Sequence, residues 1–253
     1  EAFATAKQAK LPLIISHLKC AGLDNWGRAE EVLAHLEDKR QSQLACCDCY
    51  PYAASSSTLD LNQVTDSTEI YITWSKTHPE MAEKSLRDIA NNWQLSLMEA
   101  AKKLMPAGAV YHCMLEEDVK QFLSYENSMI GSDGLPCDPH PHPRLWGTFP
   151  RVLGHYARDE NTLSLALAIH KMTALPSSQF KLNNRGKIAK GYFADLVLFD
   201  ANAIIDNASY QNPQAQADGI KCVWVNGKVS FVEGLDDLSI TQFGRAGRFL
   251  ART

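Results

Sequence analysis

The sequence predicts an α/β protein, part of a (β/α) barrel followed by a small β domain, and three observations carry that reading. Strand-length apolar runs alternate with helically spaced ones from Leu11 to Gly131, the alternation that builds parallel sheets. The apolar runs end at polar residues, where parallel α/β folds gather their active sites. From Ile188 onward the alternation gives way to a β pattern. About four or five strand–helix units are countable before that change, fewer than the eight a closed barrel needs. The Gly-rich phosphate loop of an open doubly wound sheet is absent, so a barrel fragment is the simpler account.

The elements follow in order. The chain opens at Glu1 on what reads as the tail of a helix, an expectation that sequence precedes it. Leu11 to Ile15 is a buried strand that delivers Ser16, His17 and Lys19 at its end. Trp26, Ala29, Val32, Leu33 and Leu36 recur at helical spacing, predicting a helix over 26–39. Leu44 to Cys49 is again strand-length and runs into Tyr50-Pro51-Tyr52. Strands are predicted at 69–74 and 109–114, two short helices between 85 and 104, a helix at 116–125 and a strand at 129–131 that stops at Ser132-Asp133-Gly134. Four prolines then crowd Leu135 to Arg144, and helices are predicted at 149–157 and 163–171. Asp195 to Asp200 is a strand, and Val223 to Val229 a hairpin whose Asn226-Gly227 supplies the positive φ angles of a type I′ turn.

Composition narrows the function. The 253 residues carry 25 Lys+Arg against 29 Asp+Glu and are 45% hydrophobic, enough apolar surface for a core and no basic field for nucleic acid. No run approaches the ~18 apolar residues of a membrane span, and the N-terminus lacks the pattern of a signal peptide. A soluble, cytoplasmic protein is expected, with no nucleic-acid or membrane partner. Its seven cysteines, an odd number set mostly in apolar runs, suit free thiols in a reducing compartment.

Several residues can carry chemistry. His17 at a strand end suits zinc, which favours neutral nitrogen donors, although a satisfied core histidine accounts for it too. Asp133 can bind a metal or shuttle a proton, or simply form a turn before Gly134. His140-Pro141-His142 resembles a metal pair, but its prolines place it on an extended loop, unlike ligands at alternate strand positions. Arg144 offers a rigid fork for a substrate carboxylate. Cys46-Cys47-Asp48-Cys49 has CxxC spacing without the second pair of a structural zinc site and inside an apolar strand, so its cysteines read as buried strand residues. Tyr50, Tyr52, Ser55 and Ser56 bring hydroxyls suited to positioning an acyl oxygen, and no GxSxG elbow makes a serine nucleophilic.

Together these blocks resemble a known family. Ser16-His17-Leu18-Lys19 with Asn25-Trp26-Gly27-Arg28, then Tyr50-Pro51-Tyr52 with Ser55-Ser56, then Gly131-Ser132-Asp133-Gly134-Leu135-Pro136 with the run from Pro141-His142-Pro143-Arg144 to Pro150-Arg151, resemble the D-aminoacylase (N-acyl-D-amino-acid deacylase) family of metal-dependent amidohydrolases. Lys171-Met172-Thr173, Arg185-Gly186-Lys187-Ile188 and Ala194-Asp195-Leu196-Val197 match its usual close. The resemblance covers nearly the whole chain.

It implies the C-terminal portion of a (β/α)8, TIM-like amidohydrolase barrel in residues 1–183 and a small β-domain segment in 184–253. It implies zinc as cofactor, with His17 as a ligand and Asp133 as general acid/base that also touches a metal position. Lys19, Tyr50, Ser56 and Arg144 would hold the substrate, Arg144 by its α-carboxylate. The family's His-x-His pair, its cysteine ligand and a further histidine are absent, so a missing N-terminal half or a partner chain is expected to complete the site. The implied activity is hydrolysis of an N-acyl-D-amino acid to a carboxylate and a D-amino acid. The rivals are a cyclic-amide amidohydrolase of hydantoinase or dihydropyrimidinase type and an inactive fragment that only binds or assembles.

Overall fold

The computed structural model of the chain describes residues 1–235, 244 and 246–250. Helix α1 (Ala2–Ala9) leads into strand β1 (Leu13–Ile15), and helix α2 (Ala29–Arg40) crosses over to β2 (Ala45–Cys49). Between β2 and the next parallel strand lies a long excursion, comprising β3 (Ser55–Thr58), β4 (Glu69–Ser75), β5 (Lys84–Ser85), α3 (Leu86–Trp93), α4 (Leu97–Leu104) and β6 (Ala107–His112). Helix α5 (Glu116–Ser124) then returns the chain to β7 (Ser128–Ile130).

Strands β1, β2 and β7 form a parallel three-stranded sheet in the order β1-β2-β7, with Ile15 opposite Cys47 and Cys49 opposite Ile130. Parallel alignment puts all three strand ends at one edge, so residues 16–19, 50 and 131–133 leave the sheet together. Helices α2 and α5 pack on one another behind this sheet. The first turn of α2 is capped from a distance, since the buried Asp118 of α5 accepts the N–H groups of Gly27 (2.8 Å) and Ala29 (3.1 Å), donors a helix start otherwise leaves unpaired.

The sequence reading of 69–74 and 109–114 as further parallel units is corrected here. Strand β6 pairs antiparallel with β3 and β4, and β4 antiparallel with β5, in a separate four-stranded sheet ordered β3-β6-β4-β5. The parallel strands among the described residues therefore number three. An apolar run records that a strand is buried but not which neighbour pairs with it or in which direction. Helices α3 and α4 cover one face, started by Ser85 and by a Ser96–Glu99 capping box. Their core is Ile70, Ile72, Leu86, Ile89, Leu104 and Tyr111.

After β7, helix α6 (Arg144–Arg151) continues as a π-helical turn over Val152–Asp159. It starts five residues before the predicted Phe149 because Pro143, with φ −55°, is already set for a helix start. Helices α7 (Leu165–Met172) and α8 (Ala174–Gln179) follow. Strands β8 (Leu196–Phe199), β9 (Ile220–Val225) and β10 (Lys228–Val232) form an antiparallel sheet, and Asn226 (φ 50°) and Gly227 (φ 78°) make the predicted positive-φ turn. Ile204 seats this region on the π-helical turn, where Gly154 lets its carbonyl come close. No helix of the described residues is long and apolar enough to cross a membrane.

Candidate active site

The edge where the parallel strands end opens on a cavity of about 880 Å³. His17, Lys19, Tyr50, Ser56, Asp133 and Arg144 all line it, so the structure brings every site residue expected from the sequence to one place. His17 follows β1, Tyr50 follows β2 and Asp133 follows β7, while Ser56 comes from β3 and Arg144 from the start of α6.

His17 and Asp133 face each other, with Nε2 3.7 Å from Oδ1. Both sit in the left-handed backbone region, at φ 44° and 47°. Such conformations cost a non-glycine residue about 1–3 kcal/mol and persist where surrounding structure enforces them, commonly at functional sites. For His17 the enforcing group is Asp48, whose carboxylate accepts the His17 N–H at 2.7 Å and the Ser16 hydroxyl at 2.8 Å. A side chain at Gly131 would press on that carboxylate at 3.0 Å. The sequence reading passed over Asp48 among its cysteine neighbours. The available signal was a carboxylate inside an otherwise apolar strand.

Arg144 is 2% exposed. Its Nη2 donates to Asp133 Oδ2 at 2.8 Å and to the Ser56 carbonyl at 3.3 Å, and its guanidinium lies 4.7 Å from the centre of the Tyr50 ring. Nε and Nη1 are buried without a partner, as is the Tyr50 hydroxyl. Buried donors of a charged group are seldom left unpaired, and Arg144 is a residue of the cavity lining. Lys19 lies over the same ring at 5.2 Å and donates to the His17 carbonyl at 2.7 Å. Burial pulls its pKa down from the usual lysine value, and burial pushes the Tyr50 phenol up, keeping it protonated.

His142 is buried and holds Arg144 in place. Its Nδ1 accepts the Arg144 N–H at 3.0 Å, and its Nε2 donates to the Ala54 carbonyl at 3.2 Å. Burial, with Arg144 beside it, pushes its pKa well below the ordinary histidine value. Both ring nitrogens are therefore committed to backbone. His140 reaches the Tyr210 carbonyl at 2.7 Å, and neither residue points to the His17–Asp133 pair. Tyr52 packs edge-on against His142 rather than into the cavity. Cys46, Cys47 and Cys49 are buried free thiols within β2, the strand positions expected from the sequence, with desolvation raising Cys47 to about 12 and Cys49 to about 11.

An imidazole and a carboxylate within 3.7 Å are donors of the right kind for a zinc ion. They are short in number, because among the described residues no three His, Cys, Asp or Glu side chains gather as a metal-binding group and zinc sites use three or more protein ligands.

Comparison with known proteins agrees with this geometry. The chain is 43% identical over 253 residues to the D-aminoacylase of Alcaligenes xylosoxydans xylosoxydans, covering 100% of this chain and 51% of that protein. It is 42% identical over 232 residues to the N-acyl-D-glutamate deacylase of the same organism, covering 91% and 48%. The crystal structure of an N-acyl-D-glutamate deacylase from Bordetella bronchiseptica, complexed with zinc and a phosphonate mimic of the tetrahedral intermediate, superposes with a TM-score of 0.92 at 39% identity, covering 99% of this chain and 52% of that one. The chain spans about half the length of the curated relatives it matches. The amidohydrolase family model matches residues 102–231, and with a site formed where parallel strands end, the chain belongs to the amidohydrolase family.

Proposed function

We propose that this chain carries the carboxylate, the anion clamp and one imidazole of a zinc-dependent deacylase, which hydrolyses N-acyl-D-amino acids to a carboxylate and a D-amino acid. The supporting observation is the placement of Asp133 between His17 and Arg144, with all three lining one cavity. The names of the relatives point the same way.

His17 and Asp133 would hold the zinc together with ligands from chain beyond these 253 residues. When bound, the ion lowers the pKa of water and polarises a carbonyl. Asp133 takes a proton from the attacking water and returns it to the leaving nitrogen. Arg144, on the cavity lining, would offer its guanidinium to the α-carboxylate while its Nη2 keeps Asp133 oriented. Lys19 adds charge beside it, and the Tyr50 ring underlies both cations and would hold them at the substrate. Ser56 closes the same wall. Strands β1, β2 and β7 are read as the last three of a (β/α)8 barrel. A linear substrate bearing a carboxylate suits this clamp better than an uncharged cyclic amide, which gives Arg144 nothing to pair with.

Asp133→Asn in the full-length protein tests the proposal. Asparagine tolerates the left-handed backbone at this position, so the fold should survive. Turnover of an N-acyl-D-amino acid is expected to fall about 10²–10⁴-fold, the usual contribution of a positioned acid/base. Near-normal turnover by a folded variant would overturn the assignment.

A further inference from the structure

Arg144 and Arg151 stand at the two ends of helix α6. Their separation is about two α-helical turns, so both side chains leave the same face of the helix. That face meets the Tyr50-Pro51-Tyr52 turn, whose two tyrosines are buried. Arg144 lies over the Tyr50 ring at 4.7 Å, and Arg151 lies over the Tyr52 ring at 5.1 Å. We infer that Arg151, which is not part of the cavity lining, is a positioning residue for the reaction: it fixes this turn, and through it the Tyr50 ring beneath Lys19 and Arg144. The inference rests on the deacylase reading above.

The turn is tied to both ends of the helix. Arg151 Nε donates to the Pro51 carbonyl at 3.0 Å. Pro51 has no N–H, so this carbonyl is its one backbone hydrogen-bonding group. The Tyr52 hydroxyl donates to the Pro143 carbonyl at 3.5 Å, just ahead of the helix. Between these ties the helix approaches so closely at Gly147 that a Cβ there would stand 2.5 Å from the Tyr52 hydroxyl and 3.1 Å from Asp206 Cβ.

Asp206 secures Arg151 from the other side. Its Oδ2 lies 3.5 Å from Arg151 Nη1, and its side chain is 4% exposed. Asp206 belongs to the segment between β8 and β9, so the small β region helps to hold the turn behind the cavity. One guanidinium meets a carbonyl, a carboxylate and a ring face together. A lysine ammonium, a point charge on a flexible stem, does not reproduce that fork.

The consequence reaches the substrate through Tyr50. Its ring lies 5.2 Å from Lys19 and 4.7 Å from Arg144, and all three residues line the cavity. Releasing Pro51 lets the ring and both cations leave the place where an α-carboxylate would sit. His17, held by Asp48 on another strand end, keeps its position. The loss therefore falls on substrate binding more than on turnover.

In the full-length protein, kcat and KM are measured for N-acetyl-D-leucine and N-acetyl-D-glutamate, which share the α-carboxylate and differ in side chain. Arg151→Met keeps most of the side-chain length without its donors. KM is expected to rise about tenfold, by the same factor for each substrate the wild type accepts, with kcat falling less. Arg151→Lys, which keeps the charge but not the fork, should raise KM about threefold. Partial unfolding would remove active sites, lowering apparent kcat and leaving KM where it was. An unchanged KM in folded Arg151→Met, with or without a lower kcat, would overturn the inference. Should that variant fail to fold, Arg151→Lys decides by the same reading. Asp206→Asn should also raise KM, and an unaltered KM there would overturn the part given to Asp206. Turnover of neither substrate by the wild type would overturn the deacylase reading and this assignment with it.

Discussion

The parallel and antiparallel sheets differ in how completely their own neighbours enclose them. Strands β4 and β6 bury Ile70, Ile72, Ala109 and Tyr111 against α3 and α4, within a core that closes on itself. The parallel sheet has a half-buried edge strand in β1, and Leu11 and Leu44, before β1 and β2, are 63% and 78% exposed. The parallel sheet delivers His17, Tyr50 and Asp133 to the cavity, and the antiparallel sheet lines it with the hydroxyl-bearing residues of β3. Arg144 joins the two sheets by touching Asp133 on one side and the Ser56 carbonyl on the other.

Arg144 is thus where the comparison breaks most severely. In the full-length protein Arg144→Ala is expected to cost about 2–5 kcal/mol in kcat/KM, the range for truncating one partner of a buried charge pair, with KM rising. Unchanged kinetics would mean that the two sheets do not meet at the substrate. Leu104→Ala, within the antiparallel core, should lower unfolding stability by about 2–5 kcal/mol but leave KM little changed while the protein is folded. A large KM change would show that the wall and its core are not separable from the catalytic sheet.

The underside of the parallel sheet differs in kind from the apolar core of its neighbour. Lys171 of α7 is fully buried and donates to Ser128 Oγ at 2.7 Å, and desolvation lowers its pKa to about 8. Between that value and the ordinary ~10.4 of an unfolded lysine, the unfolded state binds more protons. This contribution to stability therefore rises with pH from about 8 to about 10.5. Wild type should gain on Lys171→Met by roughly 3 kcal/mol across that window, read by denaturant titration at several pH values. A constant difference would show that the ammonium is not desolvated. Smallest is the effect at the β9–β10 turn, far from both sheets. Asn226→Ala should cost about 1–2 kcal/mol, because alanine resists the left-handed conformation, with kcat/KM unchanged.

Local patterns were legible wherever a residue's own conformational preference decides its structure. Asn226-Gly227 specified its turn. The strand ends placed His17, Tyr50 and Asp133 without knowledge of their neighbours. The π-helical turn after α6 was not legible, nor was the early start of α6 behind its prolines. His142 read as a doubtful metal ligand because its commitment to the backbone of Ala54 and Arg144 involves a partner 88 residues away.

By itself the sequence determined the family resemblance, the element boundaries to within a few residues and the identity of the groups that converge on the cavity, because these rest on side-chain chemistry and short-range periodicity. Tertiary structure alone decided that β4 and β6 turn antiparallel, that Asp48 holds His17, that Asp118 caps a helix about 90 residues before it and that Arg144 is buried with donors to spare. Each is a pairing between distant segments. The pairing energy depends on which surfaces meet after collapse, and no local spacing records that choice.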